Sequence, residues 1–306
     1  MHTSVIFLIG PTAVGKSAVA VALAKKINAE IISCDSMQVY KGMCTITSQP
    51  SAALRKAIPH HLLGTVPPDT AYDVSLYRRQ AVRALEDIVS RGKTALFVGG
   101  TGLYMSIVVD GIFDAKARSQ AARNRLYKQA EVRGRQYLYD RLKAVDAKAA
   151  AKIHRNDLKR IVRALEVFEC TGKPISQLQT RRQGLGGQYD VKLFCLTMDR
   201  QVLNQRIDRR VEAMFKRGLI GEVKKLMRKR HLYTASYAIG IRELKGYIEG
   251  AYDLAEAVRL IKRNTRLYAK RQLTWFRKDK RIRWIEVTPA ETPQHIVRRI
   301  LTQMKG

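Results

Sequence analysis

Gly10-Pro11-Thr12-Ala13-Val14-Gly15-Lys16-Ser17 fits the pattern G-x-x-x-x-G-K-[ST], and its flanks decide the fold. The β-branched run at residues 5–9 reads as a strand, and the Ala/Val/Lys-rich segment 16–27 reads as a helix. A strand that turns through glycines into a helix is a phosphate cradle. The glycines let successive backbone N–H groups face an anion, and the helix adds the positive end of its dipole. Gly10, Thr12, Ala13, Val14 and Gly15 supply the loop, Lys16 a point charge and Ser17 a hydroxyl suited to Mg²⁺. The expected ligand is a di- or triphosphate.

Outward from the loop, a second strand begins at 30–33, a helix fits 74–90, a buried strand fits 94–98 and a further helix follows Gly102. That alternation implies an α/β fold: a P-loop NTPase-like parallel sheet with flanking helices. Between residues 116 and 189 strand signals vanish and the chain turns Arg/Lys/Ala-rich with helical periodicity, ending in Gly184-Leu185-Gly186-Gly187. This reads as an inserted all-helical subdomain. The sheet resumes at 191–198 and is followed by amphipathic helices, a late strand at 283–287 and a terminal helix from Thr292. The expected domains are therefore a core of 1–115 with 190–306 and an insertion of 116–189.

The chain of 306 residues carries 57 Lys plus Arg against 26 Asp plus Glu, a formal charge of +31. Such an excess repels itself unless a polyanion neutralises it, and nucleic acid is the expected partner. The 46% apolar or aromatic content supports a sizeable core and argues against disorder throughout. Cys34, Cys44, Cys170 and Cys195 lack paired spacing, so they read as reduced thiols in a cytosolic protein rather than a zinc or disulfide framework. The opening apolar run leads into the loop without a basic n-region or cleavage site, and the longest uncharged stretch, 94–109, is glycine-broken and too short for a bilayer. No membrane partner is expected.

After the second strand comes Ser33-Cys34-Asp35-Ser36-Met37-Gln38-Val39-Tyr40. A carboxylate and an amide thus stand at the carboxyl end of a strand, the edge where parallel sheets bind ligands. The same Asp-Ser pair also suits a helix cap or turn. The strand at 94–98 runs into Gly99-Gly100-Thr101-Gly102 instead of an acidic Mg²⁺ partner, which weakens a motor-ATPase reading. A kinase, a transferase acting on free nucleotides and a nucleotide-switched RNA-binding protein remain open on the loop alone.

Several segments resemble the bacterial tRNA dimethylallyltransferases, also called tRNA isopentenyltransferases. They are GPTAVGKS at Gly10, DSMQVY at Asp35, PHHL at Pro59, VGGTGLY at Val98, NDLKRIVRALEVFECTGKPIS at Asn156, the Asp199 to Arg210 run and TRLYAKRQLTWFR at Thr265. They follow one another in order over nearly the whole chain. The resemblance implies transfer of a dimethylallyl group from dimethylallyl diphosphate to N6 of the adenosine 3′ of the anticodon. It implies Asp35 as the base that takes the amine proton, Thr101 as a hydroxyl near the leaving group, and Lys16, Arg206 and Arg210 as diphosphate partners, with Mg²⁺ through Ser17.

For tRNA, the resemblance implies base-edge contacts from Asp35, Ser36, Met37 and Gln38, with Thr101 beside the target nucleotide. It implies a grip on the anticodon stem and loop by Arg123 and the run Lys159, Arg160, Ile161, Val162, Arg163, with Arg271 and Gln272 as further contacts. Taken singly, Thr101 equally suits a helix cap, and Arg160, Arg163, Arg206 and Arg210 suit exposed helix faces. A monomer is expected. Two departures affect substrate fit: Ile46-Thr47-Ser48-Gln49-Pro50 stands where the family has Ile-Gly-Thr-Ala-Lys-Pro, and Gly240-Ile241 stands where it has Gly-Tyr.

Overall fold

The computed structural model describes residues 3–112, 118–181 and 184–305. Its sheet has six strands, β1 (Ser4–Ile9), β2 (Ala29–Ser33), β3 (His60–His61), β4 (Thr94–Gly99), β5 (Asp190–Thr197) and β6 (Arg283–Glu286), in the order β3-β2-β4-β1-β5-β6. Every neighbouring pair is parallel. β1 sits inside because its run is apolar on both faces: Val5, Ile6, Phe7 and Leu8 are fully buried, and Phe7 stacks on Phe97 at 4.4 Å.

Contacts divide the chain into two compact units, 1–109 with 186–306 and 110–185. The boundary expected at 115/116 lies outside the described residues, and the return comes at 185/186 rather than 189/190. In the first unit the helices are α1 (Lys16–Lys26), α2 (Ala52–Ala57), α3 (Val74–Ser90) and α4 (Gly102–Val109), then α9 (Arg200–Lys216), α10 (Leu219–Met227), α11 (Ile241–Ile248), α12 (Leu254–Phe276) and α13 (Pro293–Lys305). α3 shows how sequence sets position. Asp73 caps it by accepting from the Ser75 and Leu76 amides at 2.8 and 3.0 Å, and the helix buries Tyr77, Ala81, Leu85 and Ile88 along one stripe. The Tyr77 hydroxyl then donates to the Ser33 carbonyl at 3.0 Å and holds the carboxyl end of β2 in place.

The edge strand β3 was not expected from sequence, since two residues carry no periodicity. It pairs with Ile31 and Ile32, and His61 meets the buried carboxylate of Glu30 at 2.7 Å, beside Arg91 and Lys93.

The second unit holds α5 (Gln120–Val145), α6 (Ala147–Ala150), α7 (Leu158–Thr171) and α8 (Ile175–Leu178). α5 is kinked at Gly134, whose φ of 82° only glycine adopts readily. Leu126, Leu138 and Leu142 of α5 pack with Ile161, Val162 and Leu165 of α7. Under this core Glu166, 1% exposed, accepts from the Ser119 amide at 3.1 Å and from Arg123 and Arg163, each at 2.9 Å. Burial opposes its charge, yet the two guanidiniums and the amide prevail and hold the carboxyl below its ordinary range.

Candidate active site

The phosphate loop joins β1 to α1 through backbone that the sequence was chosen to allow. Gly10 has a φ of 147°, and a Cβ there would lie 2.6 Å from the Leu196 carbonyl oxygen; Gly15 at φ 106° starts the helix. Ala13 holds a φ of 66°, a left-handed value uncommon for a residue with a side chain. Lys16 arches over the loop, its Nζ donating to the Gly10 and Pro11 carbonyls at 2.8 and 2.7 Å. Burial lowers its pKa to about 8; Asp35 opposes that shift and Arg210 adds to it.

α9 supplies two arginines to the same loop. Arg206 Nε donates to the Ala13 carbonyl at 3.0 Å, while Arg210 donates to Thr12 Oγ1 at 3.2 Å and to Ser48 Oγ at 2.8 Å. Burial pulls Arg210 down to about 10, against the attraction of Asp35. Both arginines are therefore inward-facing site groups, and the exposed-face alternative does not hold for them.

At the end of β2, Asp35 Oδ1 accepts from the amides of Met37 at 3.0 Å and Gln38 at 3.4 Å. The residue thus makes the turn that spacing allowed, and it also lines the cavity together with Ser36, Met37 and Gln38. Thr101 donates its N–H to the Cys34 carbonyl at 3.2 Å, and its hydroxyl accepts from the Ser36 amide at 3.0 Å. Its carbonyl accepts from Tyr104, so it caps α4 as well. Thr101 is half-buried, and Tyr268 of α12 lines the cavity.

Of the two departures from the family pattern, residues 46–50 line this cavity. Gln38 Nε2 donates to the Thr47 carbonyl at 3.2 Å, and Gln49 Nε2 donates back to the Gln38 carbonyl at 2.9 Å. Glu222 of α10 fixes the turn by accepting from Thr45 at 2.9 Å and Ile46 at 2.8 Å. Ile241 is buried at the start of α11.

The cavity enclosed by these elements measures about 850 Å³. Lys16, Arg206, Arg209, Arg210, Arg217 and Arg271 face it, and Asp35 is the one carboxylate among its described lining residues. An apolar stretch of Ile46, Leu54, Val211, Met214 and Ile261 adjoins them. Such a space takes a strongly anionic group at one end and an apolar group at the other. Among the described residues no cluster of three or more His, Cys, Asp or Glu side chains forms a metal site.

The remaining expected residues fall into three situations. Lys159 and Arg160 are exposed on α7, Arg160 3.2 Å from Asp157, whereas Arg123 and Arg163 are tied to Glu166. Within the expected run, the side chains of Ile161 and Val162 are 0% and 1% exposed and belong to the insertion's core. Gln272, 5% exposed, is likewise turned inward, with its oxygen on the Thr12 amide at 2.9 Å and its nitrogen on the Gly100 carbonyl at 2.8 Å. Glu222 and Arg217 were missed, since no local pattern marks either of them. All four cysteines are free. No described helix is long and apolar enough to cross a membrane.

Residues 38–279 match the family described as IPP transferase, and residues 3–58 match the one described as isopentenyl transferase. The tRNA dimethylallyltransferase of Carboxydothermus hydrogenoformans is 46% identical over 305 residues, covering 99% of this chain and 98% of its own. That of Alkaliphilus oremlandii is 40% identical and covers 100% and 98%. The crystal structure of the tRNA isopentenylpyrophosphate transferase of Bacillus halodurans matches with a TM-score of 0.72 at 37% identity, over 99% of this chain and 97% of that one. A eukaryotic dimethylallyltransferase caught acting on tRNA matches with a TM-score of 0.86 at 29% identity, over 99% and 79%.

Proposed function

The chain belongs to the tRNA dimethylallyltransferase family, and on that premise we propose that it transfers a dimethylallyl group from dimethylallyl diphosphate to N6 of the adenosine 3′ of the anticodon, releasing diphosphate. The observation that carries this is a cavity lined by half-buried cations from two elements, Lys16 and Arg210, and by one carboxylate among the described residues, Asp35.

An exocyclic adenine amine is a weak nucleophile, because its lone pair is drawn into the ring. Asp35 takes the N6 proton as that lone pair forms a bond to C1 of the donor. The C1–O bond breaks and its electron pair departs on the diphosphate. Lys16, Arg206, Arg210 and the loop amides meet that charge without reorganising, since their positions are fixed beforehand. Thr101 fixes the Ser36 turn beside Asp35 by accepting from the Ser36 amide. Ser17 lines the cavity next to Lys16, and one hydroxyl suits an ion that takes its remaining ligands from phosphate oxygens and water. Mg²⁺ held by Ser17 supplies further neutralisation of the leaving diphosphate when bound. The helical insertion grips the anticodon stem and loop through outward charges such as Lys159 and Arg160, and a monomer carries the full set of groups.

The test incubates the protein with Mg²⁺, dimethylallyl diphosphate and an unmodified anticodon stem-loop carrying three consecutive adenosines, then digests the RNA for mass spectrometry. A prenylated adenosine, lost in Asp35→Ala, is expected. ATP hydrolysis or a phosphorylated nucleoside in its place would turn the reading to a kinase or ATPase.

A further inference from the structure

α12 touches the active-site loops at consecutive points along one stripe. The stripe is Tyr268, Arg271, Gln272 and Trp275, spaced i, i+3, i+4 and i+7 so that all lie on one helix face. Tyr268 and Arg271 line the cavity. Gln272 reaches both the Thr12 amide of the phosphate loop and the Gly100 carbonyl. Trp275 packs over Gly102 so closely that a Cβ there would collide with the indole, and a Cβ on Gly100 would collide with the Gln272 amide. Two of the glycines in Gly99-Gly100-Thr101-Gly102 are thus explained by room for α12.

We infer that Gln272 is a positioning residue that locks the diphosphate cradle to the loop carrying Thr101, so that donor and acceptor are held in register. The inference rests on the transfer reaction proposed above. The amide suits the task because it offers one acceptor and two donors at a fixed separation. Its oxygen holds the Thr12 N–H, a group of the phosphate loop, and its nitrogen holds the carbonyl one residue before Thr101. Thr101 in turn fixes Ser36, next to Asp35. One buried side chain therefore spans from the leaving-group cradle to the base. Reactions between two bound groups are sensitive to such spacing, and a displacement of about 1 Å costs on the order of 10²-fold in rate.

The test compares wild type with Gln272→Met, which keeps the length of the side chain and removes both hydrogen bonds, in steady-state transfer to the stem-loop. The expected result is a fall in kcat of about 10- to 100-fold, with KM for donor and RNA each changed less than about threefold. Wild-type kcat in the folded variant, or a loss confined to KM, overturns the inference. Gln272→Glu is the second variant: it keeps an acceptor for Thr12 and loses the donor to Gly100, and it is expected to lower kcat as well. If Gln272→Met does not fold, an unchanged kcat in Gln272→Glu overturns the inference by itself. Absence of transfer by wild type would instead strike at the proposed function, so the two failures are distinct.

Discussion

The cavity and the helical insertion are both rich in cations, and they use them in opposite ways. In the cavity the charges are half-buried: Lys16 falls to about 8 and Arg210 to about 10, chiefly because burial disfavours the charged form. In the insertion Lys159 and Arg160 are exposed, while the half-buried Arg123 and Arg163 pair with Glu166 and the half-buried Arg141 with Glu169, which also holds the exposed Arg125. Cations fixed around a cavity act on charge that develops there during a reaction. Exposed cations hold a polyanion at a strength that salt sets. On the proposed function, one surplus of charge serves chemistry in one unit and grip in the other.

The largest break in that comparison comes from emptying the cradle. Lys16→Ala is expected to lower kcat/KM for the donor by about 10³-fold, and Asp35→Asn to lower kcat by about 10²- to 10⁴-fold, with the folded state kept in both. Circular dichroism alongside initial rates checks this, and activity near wild type would remove either residue from the mechanism. In the insertion the large effect is structural. Glu166→Ala strands two arginines and is expected to cost about 2 kcal/mol in denaturant unfolding, allowing for the partial exposure of its partners.

A subtler difference lies in pH. Lys16 is charged below about 8, and a bound diphosphate favours the charged form. Donor affinity is therefore full below that pH and falls as pH rises through it, so KM for dimethylallyl diphosphate is expected to climb between about pH 8 and 9.5. RNA affinity measured over the same range should stay flat. The smallest effect is Lys159→Ala, which is expected to weaken stem-loop binding modestly and to reduce the slope of log affinity against log salt by about 1.

The parts legible in sequence were those written in local pattern. The phosphate loop announced itself by spacing, and α3 was expected at 74–90 and runs Val74–Ser90 because its cap and apolar stripe are both local. The run 159–163 was readable further than it was taken: Ile161, Val162 and Leu165 recur at helical spacing, the mark of a buried face. Gln272 lines the cavity with its amide tied to Thr12 and Gly100, a placement that sequence could not give because only the tertiary approach of α12 decides where the amide goes. Glu222 escaped for the same reason: its carboxylate caps a turn 176 residues away in sequence.

The division of labour is tested most directly by measuring stem-loop affinity and single-turnover transfer at saturating RNA in two proteins, Asp35→Asn and a Lys159→Ala, Arg160→Ala pair. The account predicts that Asp35→Asn binds within a few-fold of wild type and transfers little, while the pair binds weakly and transfers at the wild-type rate once saturated. Equal losses of binding and transfer in both proteins would contradict it.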